Sequence, residues 1–204
     1  MDPRELRKRR LESEHKELMR LNGSVIKIEP QGSPPYSKYT ITFNIRTFIS
    51  ARPTYRDSTV CTLDIPPGYP REAPTLLSVS SPQPYHVNWF TSGRWCFGSW
   101  NPEEPLVNYV LRAARVLRND PELVNVNSPA NSSVIPFWEA NKNNKRMVPC
   151  DSKTLPVLST AGTIDIIQRP KAGTIDIIER PKSGTITINQ VEKPKISIIP
   201  KNND

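Results

Sequence analysis

Residues 66–102 read PPGYPREAPTLLSVSSPQPYHVNWFTSGRWCFGSWNP. Three features stand in order. Gly68-Tyr69-Pro70 comes first, followed four residues later by Pro74. Tyr85-His86-Val87-Asn88 comes next, and Cys96 lies eight residues beyond Asn88. Trp100-Asn101-Pro102 closes the stretch ahead of an apolar, helix-like run. Between 81 and 105, Pro82, Pro84, Pro102 and Pro105 alternate with Trp89, Trp95 and Trp100. That is too irregular for a helix or strand and too long for an ordinary connector. Ordered loops of this length usually carry function.

Upstream, residues 59–65 and 75–79 read as strands. Tyr39, Ile41, Phe43 and Ile45 alternate with polar residues at a period of two, and residues 25–28 form a short strand before them. Gly32-Ser33-Pro34-Pro35 and Ala51-Arg52-Pro53 mark turns. Residues 3–21 read as a helix with Pro3 in its first turn and Asn22-Gly23 as its stop. Its apolar stripe is Leu6, Leu11, Leu18, Met19 and Leu21, and Arg4, Arg7, Lys8, Arg9 and Arg10 make its first half basic. Downstream, Leu106, Val110, Ala113, Ala114 and Leu117 share one face of a helix that Asn119-Asp120-Pro121 ends. Residues 127–141 contain one more short helix, disturbed by Pro136. The order predicts an α+β domain: an N-terminal helix, a four-stranded antiparallel meander, a long loop, then C-terminal helices.

This ordered set resembles the ubiquitin-conjugating enzymes, over roughly residues 3–141. Tyr69, Pro70 and Pro74 match that family's Tyr-Pro…Pro segment. His86 and Asn88 match its His-Pro-Asn motif, with Val87 in place of the proline, and Trp100 with Pro102 match its Trp-x-Pro. The resemblance implies a UBC-like fold and makes Cys96 the active cysteine. Only four positions separate Cys96 from Trp100, a short loop that looks like the bacterial members of the family. Those work with a ubiquitin-like protein, a separate activating enzyme and often a deconjugating protease. The family's acidic residue past the second helix has no clean match; Asp120, Asn125 and Asn127 lie near its place.

The residues support the same chemistry on their own terms. Passing an acyl group to an amine through a thioester needs a thiolate, and a free cysteine, with a pKa of about 8.5, supplies one near neutral pH. Cys96 lies in the loop between Trp95 and Phe97, after the turn-forming Ser92-Gly93-Arg94. Asn88 is the candidate oxyanion donor or, alternatively, the brace that fixes the loop; such a donor is worth about 3 kcal/mol. His86 reads as structural, its ring bonded to nearby backbone, rather than as a general base. Cys61, inside a strand, reads as a small buried residue, and Cys150 as an exposed bystander. Three sparse cysteines with no CxxC pair, and two histidines, predict reduced thiols and no structural metal.

Composition divides the chain. All 15 aromatic residues fall within 1–141, whereas residues 142–204 hold 11 Lys and Arg against 6 Asp and Glu. The first part can build a core and the second cannot do so easily. The net charge of +8 invites a nucleic-acid reading, but the excess sits in a tail with no stacking aromatics, so no nucleic-acid partner is expected. No apolar run is long enough to span a membrane, and the charged N-terminus carries no secretory signal, so a cytoplasmic protein is expected.

The expected organisation is a UBC-like conjugating domain over 1–141, a flexible linker over 142–161 and a strand-prone repeat tail over 162–204. The repeat has a period of eleven, GTIDIIQRPK then GTIDIIERPK, with a decayed third copy. A glycine and a proline in each unit exclude a continuous helix. Ile164, Ile166 and Ile167, and Ile175, Ile177 and Ile178, resemble short aliphatic motifs that bind ubiquitin-like proteins by adding a strand to a sheet edge. A passive solubilising tail is the alternative. The expected partners are a ubiquitin-like protein, an activating enzyme docked on Arg7, Lys8, Arg9 and Arg10, and a deconjugating protease. No cofactor is expected at this step. The competing function is a UBC-fold binding module without catalysis.

Overall fold

The structure is a computed structural model that describes residues 2–157. It is a mixed α+β fold built on a four-stranded antiparallel sheet. Helix α1 spans Pro3–Met19. The Asp2 carboxylate caps it by accepting from the Arg4 N–H at 3.1 Å. Leu11, Glu14 and Leu18 are buried, and Leu21 is buried just past the end. Leu6, expected on the same stripe, is 51% exposed. At about 100° per residue it lies about 140° around the helix from Leu11.

The sheet is formed by β1 (Ile26–Gln31), β2 (Lys38–Phe43), β5 (Thr59–Asp64) and β6 (Thr75–Ser78), in the order β1-β2-β5-β6. Its inner face carries Ile26, Ile28, Tyr39, Ile41, Phe43, Cys61, Leu63 and Leu76, all buried. The connection from β2 to β5 contains a hairpin absent from the sequence expectation, β3 (Thr47–Phe48) paired with β4 (Tyr55–Arg56). Both strands are two residues long, too short to show a period.

Both edges of the four-stranded sheet are partly covered. Along β1, the Asn22 side chain takes the place of a neighbouring strand: its Oδ1 accepts from the Ile28 N–H and its Nδ2 donates to the Ile28 carbonyl, each at 3.2 Å. Gly23 N–H donates to the Ile26 carbonyl, and Pro30 has no N–H to offer. Along β6, residues 93–95 add a short strand through Ser78 N–H to Gly93 O and Trp95 N–H to Leu76 O. These contacts occupy most of the outward backbone groups on the two edges of the four-stranded sheet.

Helix α2 (Leu106–Leu117) buries eight of its twelve residues and ends at Asn119, whose φ of 59° is the left-handed conformation asparagine tolerates. Helix α3 (Ile135–Asn141) follows a 3-10 turn at Ser132–Val134. Pro136 does not disturb it, because it falls in the first turn, where a missing N–H is harmless.

The expected linker begins too early at 142. The compact unit runs to Pro156. Val148 is buried with Val87, Val134 and Trp138. Cys150 N–H donates to the Arg118 carbonyl at 2.8 Å, and Asp151 accepts from the Arg46 N–H at 2.6 Å. This stretch has no aromatic and few apolar residues, but one valine and one carboxylate anchor it. Residues 162–204, with their repeats and isoleucines, lie outside the described residues.

One buried carboxylate joins three elements. Glu14, 4% exposed on α1, accepts from the Tyr69 hydroxyl at 2.8 Å and from the Leu106 N–H at 2.9 Å. Arg10 Nε stands 2.6 Å from it. Helix α2 has Pro105 as its N-cap and no side-chain cap of its own, so Glu14 supplies one from another helix. Negative charge there also favours the positive end of the α2 dipole.

These contacts set three expectations for stability. Glu14→Ala strands a buried hydroxyl and a buried helix-end N–H, and should cost about 2–4 kcal/mol in urea denaturation. Asp57→Ala, which breaks a solvent-exposed pair with Arg46, should leave the urea midpoint essentially unchanged. A chain ending at Asn141 should be about 3 kcal/mol less stable than one ending at Pro156, because it loses Val148 burial and the Asp151 bond.

Candidate functional site

The eight-residue spacing between Asn88 and Cys96 is the register of a tight hairpin. Trp89 pairs with Trp95, and Phe90 N–H donates to Arg94 O at 2.9 Å. In an antiparallel pair the residue numbers of partners share one sum, so Asn88 falls opposite Cys96. The Cys96 N–H donates to the Asn88 carbonyl at 2.9 Å. Gly93 makes the turn with φ 91°, and a Cβ there would stand 2.6 Å from the Ser78 carbonyl. A side chain at 93 would therefore push the hairpin off β6.

Cys96 is half-buried in a cleft of about 230 Å³, lined also by Asn88, Phe97, Arg112, Glu122 and Asn125. Asn88 is 7% exposed, and its Oδ1 accepts from the Asn125 N–H at 3.1 Å. Its Nδ2 has no acceptor among the described residues. The two roles read from the sequence are thus divided between two atoms: the oxygen braces the loop and the nitrogen is left to donate beside the thiol.

His86 is fully buried and does not line the cleft. Its Nδ1 accepts from the Asn88 N–H at 2.9 Å, so the neutral ring carries its proton on Nε2, which has no partner among the described residues. Desolvation pushes its pKa down to about 3. A ring whose lone pair is bonded to backbone cannot collect a proton from the cleft. Val87, buried between His86 and Asn88, offers its carbonyl to the Ala130 and Asn131 N–H groups.

The other motif residues hold the loop rather than line the cleft. Tyr69 bonds Glu14 and packs against Trp100, with ring centroids 6.0 Å apart. Trp100 Nε1 donates to Pro70 O at 2.7 Å, and Pro74 O accepts from the Tyr109 hydroxyl at 3.2 Å. Pro102 is exposed and precedes a turn, so it does not lead directly into α2. Arg112, which the sequence reading missed, fastens the segment after Cys96. It donates to Phe97 O at 2.6 Å, pairs with Glu104 at 2.8 Å and lies over the Trp95 ring. The available signal was a cation, one of two, in the otherwise apolar run LVNYVLRAARVL.

Of the three positions near the expected acidic residue, only Asn125 lines the cleft. Asp120 caps the 3-10 turn at Pro121–Leu123 and pairs with Arg115 at 2.7 Å. Burial alone would raise its pKa, but the bonds from Arg115 and the Glu122 N–H hold it below the usual carboxylate range. Asn127 is exposed, and its N–H donates to Asn125 Oδ1. The acidic side chain on the rim is Glu122, 78% exposed and paired with Arg115.

The remaining thiols are insulated. Cys61 is buried, and desolvation raises its pKa well above the usual thiol range. Cys150, expected as an exposed bystander, is half-buried, donates to Arg46 O at 3.1 Å, and is pushed up to about 12 by burial. In the basic block, Arg7 donates to Pro66 O at 3.2 Å, Arg10 sits on Glu14, and Arg9 pairs with Glu5. Lys8 is exposed. Among the described residues, no group of three or more His, Cys, Asp or Glu could hold a metal, and no helix is long and apolar enough to cross a membrane. No family model matches the chain, and no curated protein matches it either.

The buried histidine sets a pH dependence. Its folded pKa lies below the unfolded value of about 6.5, so its contribution is intact above pH 6.5 and is lost as pH falls toward 3. Between pH 7.5 and pH 5 this should remove about 2 kcal/mol. Urea denaturation of His86→Gln should show an acid loss smaller by that amount.

Proposed function

We propose that this chain is a conjugating enzyme of the ubiquitin-conjugating type. The observation that carries the reading is the hairpin register that sets the Cys96 thiol beside the Asn88 carboxamide in one cleft. The order of helix, four-stranded sheet, loop and helices is compatible with a UBC-like fold.

In this reading the Cys96 thiolate attacks the thioester of a ubiquitin-like protein carried by an activating enzyme. A new C–S bond forms and the activating enzyme's thiol leaves. A neutral amine then attacks the same carbonyl, the C–S bond breaks, an amide forms, and the amine's proton passes to solvent. Each step goes through a tetrahedral oxyanion, to which Asn88 Nδ2 can donate. A preorganised donor of this kind needs no reorganisation at the moment of reaction. Arg112 and Trp100 keep the segment around the thiol in place. Lys8 and Arg9 offer the most accessible charges for docking of the activating enzyme, since Arg7 and Arg10 are engaged within the domain. A deconjugating protease would reverse the product.

Mixed with a ubiquitin-like protein, its activating enzyme and ATP, the chain should form a thiol-reducible adduct. Cys61→Ala and Cys150→Ala should retain it and Cys96→Ala should lose it. Asn88→Asp keeps an oxygen for the Asn125 N–H but removes the donor, so the adduct should form while its aminolysis slows about 100-fold. Normal charging of Cys96→Ala would end this reading. Tight binding without any adduct would favour the non-catalytic binding module.

A further inference from the structure

The four-stranded sheet has two faces, and the core uses one of them. On the other, the register lines residues up in rows across the strands. In the middle row Glu29 on β1 stands opposite Thr40 on β2, Thr40 opposite Thr62 on β5, and Thr62 opposite Leu77 on β6. Leu77 is bridged in turn to Arg94, in the short added strand of residues 93–95. Side chains alternate between the two faces of a sheet. All five therefore lie on the face away from Ile28, Ile41, Cys61, Leu76 and Trp95, and each is exposed or half-buried. Beside this row runs a second one. Thr42 stands opposite Val60, and the Val79 N–H donates to the Val60 carbonyl at 2.9 Å. Leu77 and Val79, at 36% and 55% exposure, are two of the six exposed large apolar side chains among the described residues. A third, Phe90, stands across the hairpin from Arg94.

The ends of the middle row carry opposite charge. Glu29 and Arg94 are exposed and enter no ion pair among the described residues. Between them lie two threonines and a leucine, all uncharged. With strands about 4.8 Å apart, the two charged residues are separated by about 19 Å, with Thr62 midway.

A row of this kind is complementary to itself. A two-fold axis running along β5, between two stacked sheets, lays β1 of one copy over residues 93–95 of the other and keeps each row over its own counterpart. Glu29 then meets Arg94 of the second copy at both sides of the axis, and Thr40 meets Leu77. Thr62 and Val60 sit over themselves on the axis. An axis across the strands would instead set Glu29 over Glu29 and Arg94 over Arg94. Stacked sheets lie about 10 Å apart, a gap that a glutamate and an arginine span together. Asp64 also falls over itself, at the margin, but Lys38 of its own chain stands 3.0 Å from it and offsets its charge. Association through the sheet edges is disfavoured, because the Asn22 side chain and residues 93–95 already occupy much of both.

We infer that this face is the interface of a homodimer, formed by two-fold stacking of the sheet on a second copy of the chain. Five strands of up to six residues span about 20 Å by 20 Å. That is toward the small end for a specific interface, so the dimer is weak and forms at high protein concentration. None of Arg112, Glu122 and Asn125, which line the Cys96 cleft, belongs to these rows. The dimer is therefore independent of the conjugating reading.

The test is sedimentation equilibrium of the full-length protein from about 10 µM to about 1 mM, a range that covers a weak interface. The wild type should pass from monomer to dimer and go no further. Glu29→Arg and Arg94→Glu each turn both attractive contacts into repulsive ones, so each variant alone should associate at least tenfold more weakly. An equimolar mixture of these two variants restores opposite charges at both contacts and should dimerise as the wild type does, with one copy of each. Val60→Asp, which places like charges over each other on the axis, should remove the dimer. A wild type that stays monomeric at about 1 mM, single variants that associate as tightly as the wild type, or a mixture that stays monomeric would overturn the inference. A monomer whose Thr62 and Leu77 amide signals shift on addition of a ubiquitin-like protein would assign the face to that partner instead.

Discussion

The buried carboxylate of Glu14 is the contact on which the arrangement of this molecule depends. A carboxylate is costly to bury unless its oxygens are occupied. Here one oxygen holds the Tyr69 hydroxyl and the other the first N–H of α2. Those bonds fix α1 against both flanks of the long loop at once. Tyr69 then packs on Trp100, and Trp100 bonds back to Pro70. Helix α2, seated by the same carboxylate, delivers Arg112 to the Phe97 carbonyl. A contact far from Cys96 in sequence thus determines where the loop carrying Cys96 can lie.

Within that frame the cleft is assembled by backbone pairing. The hairpin of residues 88–96 is welded to β6 through Gly93 and Trp95, so its register is inherited from the sheet. Because side chains alternate along paired strands, a slip of one residue would turn Cys96 to the opposite face. His86 guards the other end by accepting the Asn88 N–H, which fixes the residue whose side chain spans to Asn125. Burial makes this a one-state device: a ring with a pKa near 3 stays neutral and keeps its acceptor across the physiological range.

The sequence was legible where a period or a spacing reports local geometry. The alternation at 39–45 places β2, and the apolar face from Leu106 to Leu117 places α2. The distance from Asn88 to Cys96 could be read as a motif, although its physical meaning, a hairpin register, emerges only from the pairing. What stayed illegible depends on single long-range contacts. Nothing near Glu14 in the chain announces that it will bond Leu106, 92 positions away. Residues 142–156 look like a linker by composition, yet Val148 and Asp151 each find a partner on a distant element. Leu6 looked buried because α1 was read as one stripe, when its apolar positions fall on different sides of the helix.

The same distinction separates the three cysteines. By composition they are equivalent, and solvent access together with the partner of each sulfur makes them different. Cys61 faces the inner side of the sheet, where a thiolate would have no solvation. Cys150 spends its S–H on a carbonyl and is pushed up to about 12, which leaves about one molecule in ten thousand or fewer ionised near neutral pH. Asn119 Nδ2 also reaches the Cys150 sulfur, at 4.0 Å, whereas Cys96 lines a cleft of about 230 Å³ together with the Asn88 carboxamide. A nucleophile needs access and a place for the oxyanion together. The partly covered sheet edges complete this economy of reactive groups. Asn22 occupies the outer side of β1 and residues 93–95 occupy that of β6. With those edge groups occupied, the cleft at Cys96 is where the described residues leave a nucleophile and a hydrogen-bond donor unspent in one place.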